Sequence, residues 1–169
     1  MKFILSFVEN LPYIPDQYNV LIAQIASAVL FVFVLCILAR FSTWFCNTYL
    51  SKLVAKLHSD KWFNAMREHR FFTALGVVVA AMAAINLHPV FIFQDVTWLA
   101  TLMGKLTGLF VVISFSWLIN ALLDTLSHLY GRNPNIPIKG LVQAVKIVVF
   151  LGTGLFILSL VLGRKPMYI

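Results

Sequence analysis

Four histidines are the side chains in this sequence whose type and spacing could bind a metal ion or haem. His58 and His69 are eleven residues apart, a spacing that places two ligands on one face of a continuous helix. All four histidines (His58, His69, His88 and His128) fall at or beyond the ends of long apolar segments. A cofactor inside a helical bundle needs ligands that project inward from the helices. The sequence therefore predicts interfacial histidines, with no metal site and no cofactor.

Motifs of known enzyme classes do not occur in the sequence. It has no Cys-x-x-Cys, no His-Glu-x-x-His, no glycine-rich phosphate loop and no serine nucleophile elbow. Asp124 is the single carboxylate in or against a long apolar segment, so no carboxylate pair is available for acid–base catalysis. Cys36 and Cys46 would lie about 15 Å apart on one helix, too far for a disulfide. These patterns indicate that the chain is not an enzyme.

The most informative charges lie on either side of a turn. Residues 131–137 read GRNPNIP, which is typical of a tight connection, so the apolar segments on each side should be antiparallel neighbours. Asp124 precedes the turn, and Lys139 and Lys146 follow it, with Lys146 at a depth similar to that of Asp124. Charges inside a membrane are costly and are usually paired. We predict an ion pair or a lipid-headgroup site here, and a static anchor at the interface explains the pattern equally well.

Long apolar segments must position these charges. The chain of 169 residues is 61% hydrophobic and only 11% charged, with a mean hydropathy of +0.91. Soluble domains carry about 25% charged residues, so too little polar material is present to cover a soluble fold. Apolar segments occur at about 20–41, 71–87, 98–126 and 141–162. A helix of about 20 residues crosses the hydrocarbon core, so we predict an all-α integral membrane protein with four transmembrane helices.

The stretch between the first two apolar segments is basic and amphipathic. Its apolar residues recur every four positions at Phe45, Tyr49, Leu53 and Leu57. The first helix should therefore continue out of the membrane, turn near residues 58–60, and be followed by a second amphipathic helix on the membrane surface. We divide the chain into an interfacial segment (1–18), the first transmembrane helix with its basic loop (19–70), a transmembrane hairpin (71–127), and a turn with the fourth helix (128–169). Asn86, His88 and Pro89 should end the second transmembrane helix.

The basic residues predict the orientation of the chain. Lys and Arg concentrate in the loop 42–70 and around the turn 131–140, and cytoplasmic loops carry such an excess. Both regions should be cytoplasmic, which leaves the N-terminus outside. The net charge of +7 is better explained by contact with anionic lipid than by nucleic acid, because the basic residues are not interleaved with aromatic residues on a polar segment.

Small residues indicate where helices pack closely. Gly104 and Gly108 form a small-xxx-small step in the third apolar segment, and the second segment carries a block of alanines at residues 80–84. Lys105 lies near the start of the third segment and should extend its ammonium group outward to the headgroups.

Two stretches near the C-terminal turn resemble a known family. Residues 137–146 read PIKGLVQAVK, and residues 158–166 read LSLVLGRKP. With Leu122, Leu123 and Asp124 before the turn, these stretches resemble the membrane domain of the miniconductance mechanosensitive channels, the YbdG-like members of the MscS superfamily. The likeness covers most of the chain and is most specific from about residue 120 onward.

The resemblance implies the peripheral, lipid-facing, tension-sensing helices of a channel subunit that opens on membrane tension and protects bacteria against hypoosmotic shock. It also implies a multi-pass protein of the bacterial inner membrane with a periplasmic N-terminus, assembled as a homo-oligomer, typically a heptamer. The pore-lining helix and cytoplasmic domain of that family would follow residue 169 and are absent from this chain, so we expect part of a longer subunit. Two other classes remain open: a small membrane scaffold, and a transporter subunit, which should show inverted repeats.

Overall fold

The computed structural model describes residues 16–57, 60–91, 97–130 and 138–163, which are helical except for short turns. The helices are α1 (Asp16–Phe45), α2 (Ser51–Leu57), α3 (Asp60–Glu68), α4 (Phe71–Phe91), α5 (Thr97–Tyr130) and α6 (Ile138–Leu162). A π-helical segment, Cys46–Leu50, joins α1 to α2. No strand occurs in these ranges. Most of the predicted interfacial segment 1–18 and the turn 131–137 lie outside the described residues, and α1 begins at Asp16, earlier than the boundary at residue 19.

Four helical stretches are long and apolar enough to cross a membrane. They are Ile25–Lys56, Phe71–Pro89, Ala100–Tyr130 and Ile138–Leu162. In lipid only a continuous helix or a closed barrel satisfies every backbone polar group, so stretches of this length and composition are stable there. The prediction of an all-α fold is confirmed for the described residues, with four helices long and apolar enough to span a membrane. The chain is a multi-pass membrane protein.

The later part of the first spanning stretch contains a local irregularity in its helical hydrogen bonding. The segment Cys46–Leu50 is wound as a π-helix, a form found mostly as single turns inside α-helices. Asn47 in this segment donates from Nδ2 to Thr73 Oγ1 on α4 at 3.3 Å. The segment therefore ties the later part of the first spanning stretch to the beginning of the second, and α2 and the short helix α3 follow it along the chain.

The predicted end of the second span at Asn86, His88 and Pro89 agrees with the apolar stretch Phe71–Pro89, although the helix itself runs two residues further. Helix α4 continues through Pro89 to Phe91. A proline removes only its own N–H from the ladder, and membrane helices tolerate that loss better than soluble ones. Asn86 also remains compatible with the helix, because its Nδ2 donates to the carbonyl oxygen of Met82 at 2.9 Å.

The spanning helices form an open row. Helix α4 packs between α1 and α5, and α5 packs in turn against α6, with α3 seated against α5. Within the described residues, α1 and α6 share no extensive contact, so the row does not close into a bundle. The buried core lies along α4 and consists mainly of small side chains, including Ala74, Ala80, Ala81 and Ala84. Large apolar side chains on α1 and α6 are exposed, as expected for faces that contact lipid or further helices.

Gly76 marks the closest approach between two helices. A Cβ atom added at Gly76 would lie 2.6 Å from Thr43 Cα on α1, a backbone atom that cannot rotate away. The hydroxyl of Thr43 is itself engaged, since it donates to the carbonyl oxygen of Ala39 at 2.8 Å. The missing side chain at Gly76 is therefore what allows α1 and α4 to pack backbone to backbone.

The substitution Gly76→Ala should separate α1 from α4 and lower the stability of the protein in detergent. Overpacking of this kind costs about 1–3 kcal/mol. The midpoint of thermal unfolding, followed by size-exclusion fluorescence, measures the effect. Gly154→Ala is the matched control, because a Cβ at Gly154 meets nothing within 4 Å and alanine is the better helix former. Equal midpoints for the two variants would contradict the close approach at Gly76.

Candidate functional site

An ion pair links α5 to α6 within the apolar part of the chain. Asp124 lies six residues before the end of α5 at Tyr130, and Lys146 lies eight residues after the start of α6. Because the two helices run antiparallel, these positions come to similar depths, about 9–12 Å from the helix ends. Lys146 donates from Nζ to Oδ1 of Asp124. The structure thus brings together two of the three charges that the sequence singled out.

The pair lies at the edge of the helix interface and is not sealed inside it. The Lys146 side chain is 34% exposed and that of Asp124 is 42% exposed. Exposed pairs in water contribute only about 0–1 kcal/mol, whereas a single uncompensated charge near the middle of a membrane helix costs about 2.5–3.5 kcal/mol. The pair is consequently most important when water is excluded, and its energy depends on how deep these helices sit.

Lys139, the third predicted charge, is not part of the pair. Its side chain is exposed on the first turn of α6, and it has no ion pair among the described residues. Lys139 and Lys146 are seven residues apart, so they lie on nearly the same face of α6, with Lys139 closer to the helix end. This position suits contact with a lipid headgroup more than contact with Asp124.

The opposite end of the α5–α6 pair is held by a second cation. Lys105 donates from Nζ to the backbone carbonyl of Val161 at 3.1 Å, in the last turn of α6. The last carbonyl groups of a helix lack partners within the helix and favour a cation. The sequence predicts a Lys105 that points outward to the headgroups. It does not predict this contact, because every residue has a backbone carbonyl and the acceptor therefore cannot be recognised from residue type.

The two glycines predicted to pack helices face different neighbours. A Cβ at Gly108 would lie 3.3 Å from Leu160 of α6, whereas a Cβ at Gly104 would lie 3.5 Å from the ring of His88 on α4. The His88 ring also packs edge-on against Phe31 of α1, with centroids 6.2 Å apart. The small-xxx-small step therefore fits α5 between α4 and α6 at this end of the row.

An apolar groove of about 350 Å³ runs between α5 and α6, in the part of their interface between the two polar contacts. Its lining from α5 is Val111, Val112, Phe115, Ser116 and Ile119, and from α6 Val149, Gly152, Thr153 and Phe156. The hydroxyl of Thr153 is satisfied by its own helix, since it donates to the carbonyl oxygen of Val149 at 2.7 Å. A Cβ at Gly152 would meet nothing within 4 Å, so this glycine leaves space in the groove. The shape and apolar lining suit a hydrocarbon chain.

A second open groove of about 560 Å³ lies along α1. It is lined by Cys36, Ile37, Arg40, Phe41 and Trp44. The guanidinium group of Arg40 supplies one charged side chain to an otherwise apolar and aromatic lining. Arginine and tryptophan near the end of an apolar stretch are typical of the headgroup level of a membrane.

A cluster of two histidines and a carboxylate forms where α3, α4 and α5 meet. Glu68 Oε2 lies 3.6 Å from His128 Nε2, and the rings of His69 and His128 pack edge to face with centroids 5.4 Å apart. The spacing of eleven residues in the sequence pairs His69 with His58, which lies outside the described residues. The observed neighbour is His128, which is 59 positions away along the chain. No spacing rule within one helix could have found this pairing.

A compact turn positions Glu68 and His69. His69 N donates to Ala65 O at 3.1 Å, and Arg70 N donates to Arg67 O at 3.2 Å. Arg70 has a φ of 55°, a left-handed conformation that commonly ends a helix. Its carbonyl then accepts from Ala74 N at 3.0 Å and opens α4. A single residue therefore ends one helix and starts the next, which fixes the two adjacent side chains against α5.

Together the fold and these contacts define a multi-pass α-helical membrane protein with polar side-chain contacts near both ends of its α5–α6 pair. No protein-family model matches the chain. No solved structure is significantly similar to it.

Proposed function

We propose that this chain forms the peripheral, lipid-facing helices of a mechanosensitive channel subunit, which sense membrane tension and open a pore that protects the cell against hypoosmotic shock. The observation that carries the proposal is the groove between α5 and α6, apolar along its length and bounded by a cation contact at each end. The resemblance of residues 122–124 and 137–146 to the miniconductance channels adds support, since those residues include both partners of the ion pair.

The mechanism follows from treating tension as a ligand. Tension favours whichever conformation occupies more membrane area, and only a difference between conformations shifts the population. Helices α5 and α6 are held at their ends by Lys105 and by the Asp124–Lys146 pair, so they can tilt against each other while an acyl chain enters or leaves the groove. The open row exposes most of α6 to lipid, which gives the bilayer a large surface on which to act.

The direct test is electrophysiological. The full open reading frame that contains this chain is expressed in a bacterial strain that lacks its own mechanosensitive channels, and membrane patches are stretched by suction. Currents that appear only under tension, together with improved survival after hypoosmotic shock, are the expected result. Normal membrane insertion without tension-dependent current or improved survival would refute the proposal and favour a scaffold.

We place the protein in the bacterial inner membrane with the loop 42–70 in the cytoplasm and the N-terminus in the periplasm. In a background lacking Cys36 and Cys46, Lys56→Cys should react with an impermeant maleimide only after the cells are permeabilised. The reason is the excess of basic residues in this loop, which resists translocation. Gln94→Cys, between α4 and α5, is the control and should react in intact cells. Labelling of Lys56→Cys but not of Gln94→Cys in intact cells would show that the loop 42–70 lies outside and that the proposed orientation is wrong.

The exposed face of α6 supports assembly into a ring of identical subunits, a heptamer if the resemblance holds. A Cβ at Gly140 or Gly154 meets nothing within 4 Å, so close approach of another helix is sterically free on the exposed face of α6. Small residues of this kind commonly lie at helix contacts in membranes. Crosslinking in native membranes should give a ladder of oligomers, whereas a monomeric band alone would favour a scaffold or transporter subunit that binds a different protein.

A further inference from the structure

Glu68, His69 and His128 are close enough to share one metal ion. Their potential ligand atoms all lie within 4.8 Å of one another. In tetrahedral zinc sites the bonds to nitrogen and oxygen are about 2.0–2.2 Å long, which puts neighbouring ligand atoms about 3.3 Å apart. The separation of 3.6 Å between His128 Nε2 and Glu68 Oε2 is already near this value. Small side-chain rotations would close the remaining distance.

A second observation concerns the ring of His69 and adds to these distances. The Nε2 atom of His69 is buried and has no hydrogen-bond partner among the described residues. Buried polar atoms are nearly always satisfied, so an unmet one needs an explanation. His88 Nε2 is buried and unpartnered in the same way, but only His69 also has ligand atoms of two other side chains close enough to share an ion with it. The turn that contains His69 fixes its backbone through the bond from His69 N to Ala65 O, so the ring is held close to His128.

The donor set selects the class of metal. Two imidazoles and one carboxylate suit zinc and neighbouring transition metals, whereas magnesium and calcium prefer oxygen ligands. Three protein ligands leave one coordination position for water in a tetrahedral ion. Glu68 and His128 are exposed and His69 is half-buried, so an ion can enter from the solvent side.

We propose that Glu68, His69 and His128 bind one divalent transition-metal ion of the zinc class. From the sequence we predict no metal site, because all four histidines fall at or beyond the ends of the apolar segments, and the sequence does not place His128 beside His69. The ion would join the α3–α4 turn to the last turns of α5. It would thereby fix the amphipathic helix α3 against the spanning helices, where Trp62 already packs edge-on to Tyr130 at a centroid distance of 6.0 Å. This role is independent of the proposed channel function.

The metal site also adjoins the ion pair between α5 and α6. His128 and Asp124 are four residues apart on α5, so they are neighbours on one face of the helix. An ion bound to His128 would hold the end of α5 that carries Asp124. Metal binding would therefore restrain the same helix that the Asp124–Lys146 pair connects to α6.

The test uses the full chain without a histidine tag, in lipid nanodiscs, with Cys36 and Cys46 replaced by serine to remove thiolate ligands. Zinc is titrated in competition with a chromophoric chelator, and cobalt serves as an optical probe of tetrahedral coordination. One zinc ion per chain and a tetrahedral cobalt spectrum are expected. His69→Ala and His128→Ala should each weaken zinc binding at least about tenfold, since even partners that only orient a ligand contribute 10–100-fold.

The control is His88→Ala, which removes a histidine outside the cluster and should leave zinc affinity unchanged. Glu68→Gln keeps the shape of the side chain and should also weaken binding. If an alanine variant fails to elute as a folded species, the glutamine variant at the same position replaces it, with the same tenfold threshold. Absence of saturable zinc binding, or binding that His69 and His128 variants leave unchanged, would overturn the proposal.

Discussion

Replacing Lys146 with methionine should destabilise the membrane-embedded protein more than replacing Asp124 with asparagine. The two destabilising effects should not be additive. Lys146→Met leaves Asp124 without its partner, on a side chain that extends less far toward headgroup water than a lysine does. Asp124→Asn leaves Lys146, whose four-carbon stem can carry the ammonium group toward the interface. We expect about 1–3 kcal/mol for Lys146→Met and about half of that for Asp124→Asn, because uncompensated charge in a membrane helix is costly.

A double-mutant cycle measures the coupling directly. Unfolding is followed in bicelles for the parent, the two single variants and the combination Asp124→Asn with Lys146→Met. The double variant should be less destabilised than the sum of the singles, with a coupling of about 0.5–1.7 kcal/mol, the range found for contacts between membrane helices. In the channel that we propose, Asp124→Asn should shift the tension threshold, and adding the second change should shift it little further.

A charge-reversed variant separates pairing from the mere presence of charge. Asp124→Lys combined with Lys146→Asp keeps both charges at the same depth and should recover part of the lost stability. Lys139→Met is the matched control, since Lys139 lies on nearly the same face of α6 but has no ion pair among the described residues. Additive effects of the two single changes, or equal effects at Lys139 and Lys146, would show that the contact carries no coupling.

The sequence predicts correctly those structural features that depend on one segment alone or on two segments joined by a short connection. The four spans follow from length and apolarity, which lipid imposes on each segment separately. The proximity of Asp124 and Lys146 follows because the turn 131–137 is short, so the two helices must lie side by side with these positions at one depth. The helical bounds of α2 and α3 similarly reflect local apolar spacing.

The features that sequence missed depend on how separate helices rotate against each other. Gly76 is one of several small residues in its segment, and only the orientation of α4 against α1 shows that it meets Thr43. The approach of His69 to His128 depends on α5 returning along α4 with a particular face toward the α3–α4 turn. The periodicity of one helix gives its apolar face, but it does not say which neighbour that face meets.

These contacts divide the α5–α6 interface into parts of different chemistry. The ends are held by Lys105 and by the Asp124–Lys146 pair, while the middle contains a groove in which Gly152 leaves open space. Interfaces in membranes are stabilised by close packing, because apolar side chains gain nothing by leaving lipid for one another. We therefore expect a lipid chain to fill this groove, and its occupancy is a direct test of the proposed tension sensing.

Filling the groove with Gly152→Leu should exclude acyl chains and reduce the response to membrane stretch. A bimane label at Phe156→Cys, in the background without Cys36 and Cys46, lies in the groove lining and is quenched by lipids with brominated chains. We expect strong quenching in the parent that falls when lysophosphatidylcholine is added to one leaflet. In Gly152→Leu, quenching should be low from the start and insensitive to lysolipid, because the leucine side chain occupies the space of the lipid chain.

The expected shift in the equilibrium between the two conformations determines how precise the measurement must be. If lipid occupancy distinguishes the two conformations, blocking it should change their equilibrium about tenfold, which corresponds to about 1.4 kcal/mol. The matched control is Gly154→Leu, on the same helix and equally free of contacts but not part of the groove lining. It should quench like the parent and respond to lysolipid in the same way. Equal quenching in both leucine variants would mean that the label reports general lipid exposure of α6, and the groove would then have no special role in sensing tension.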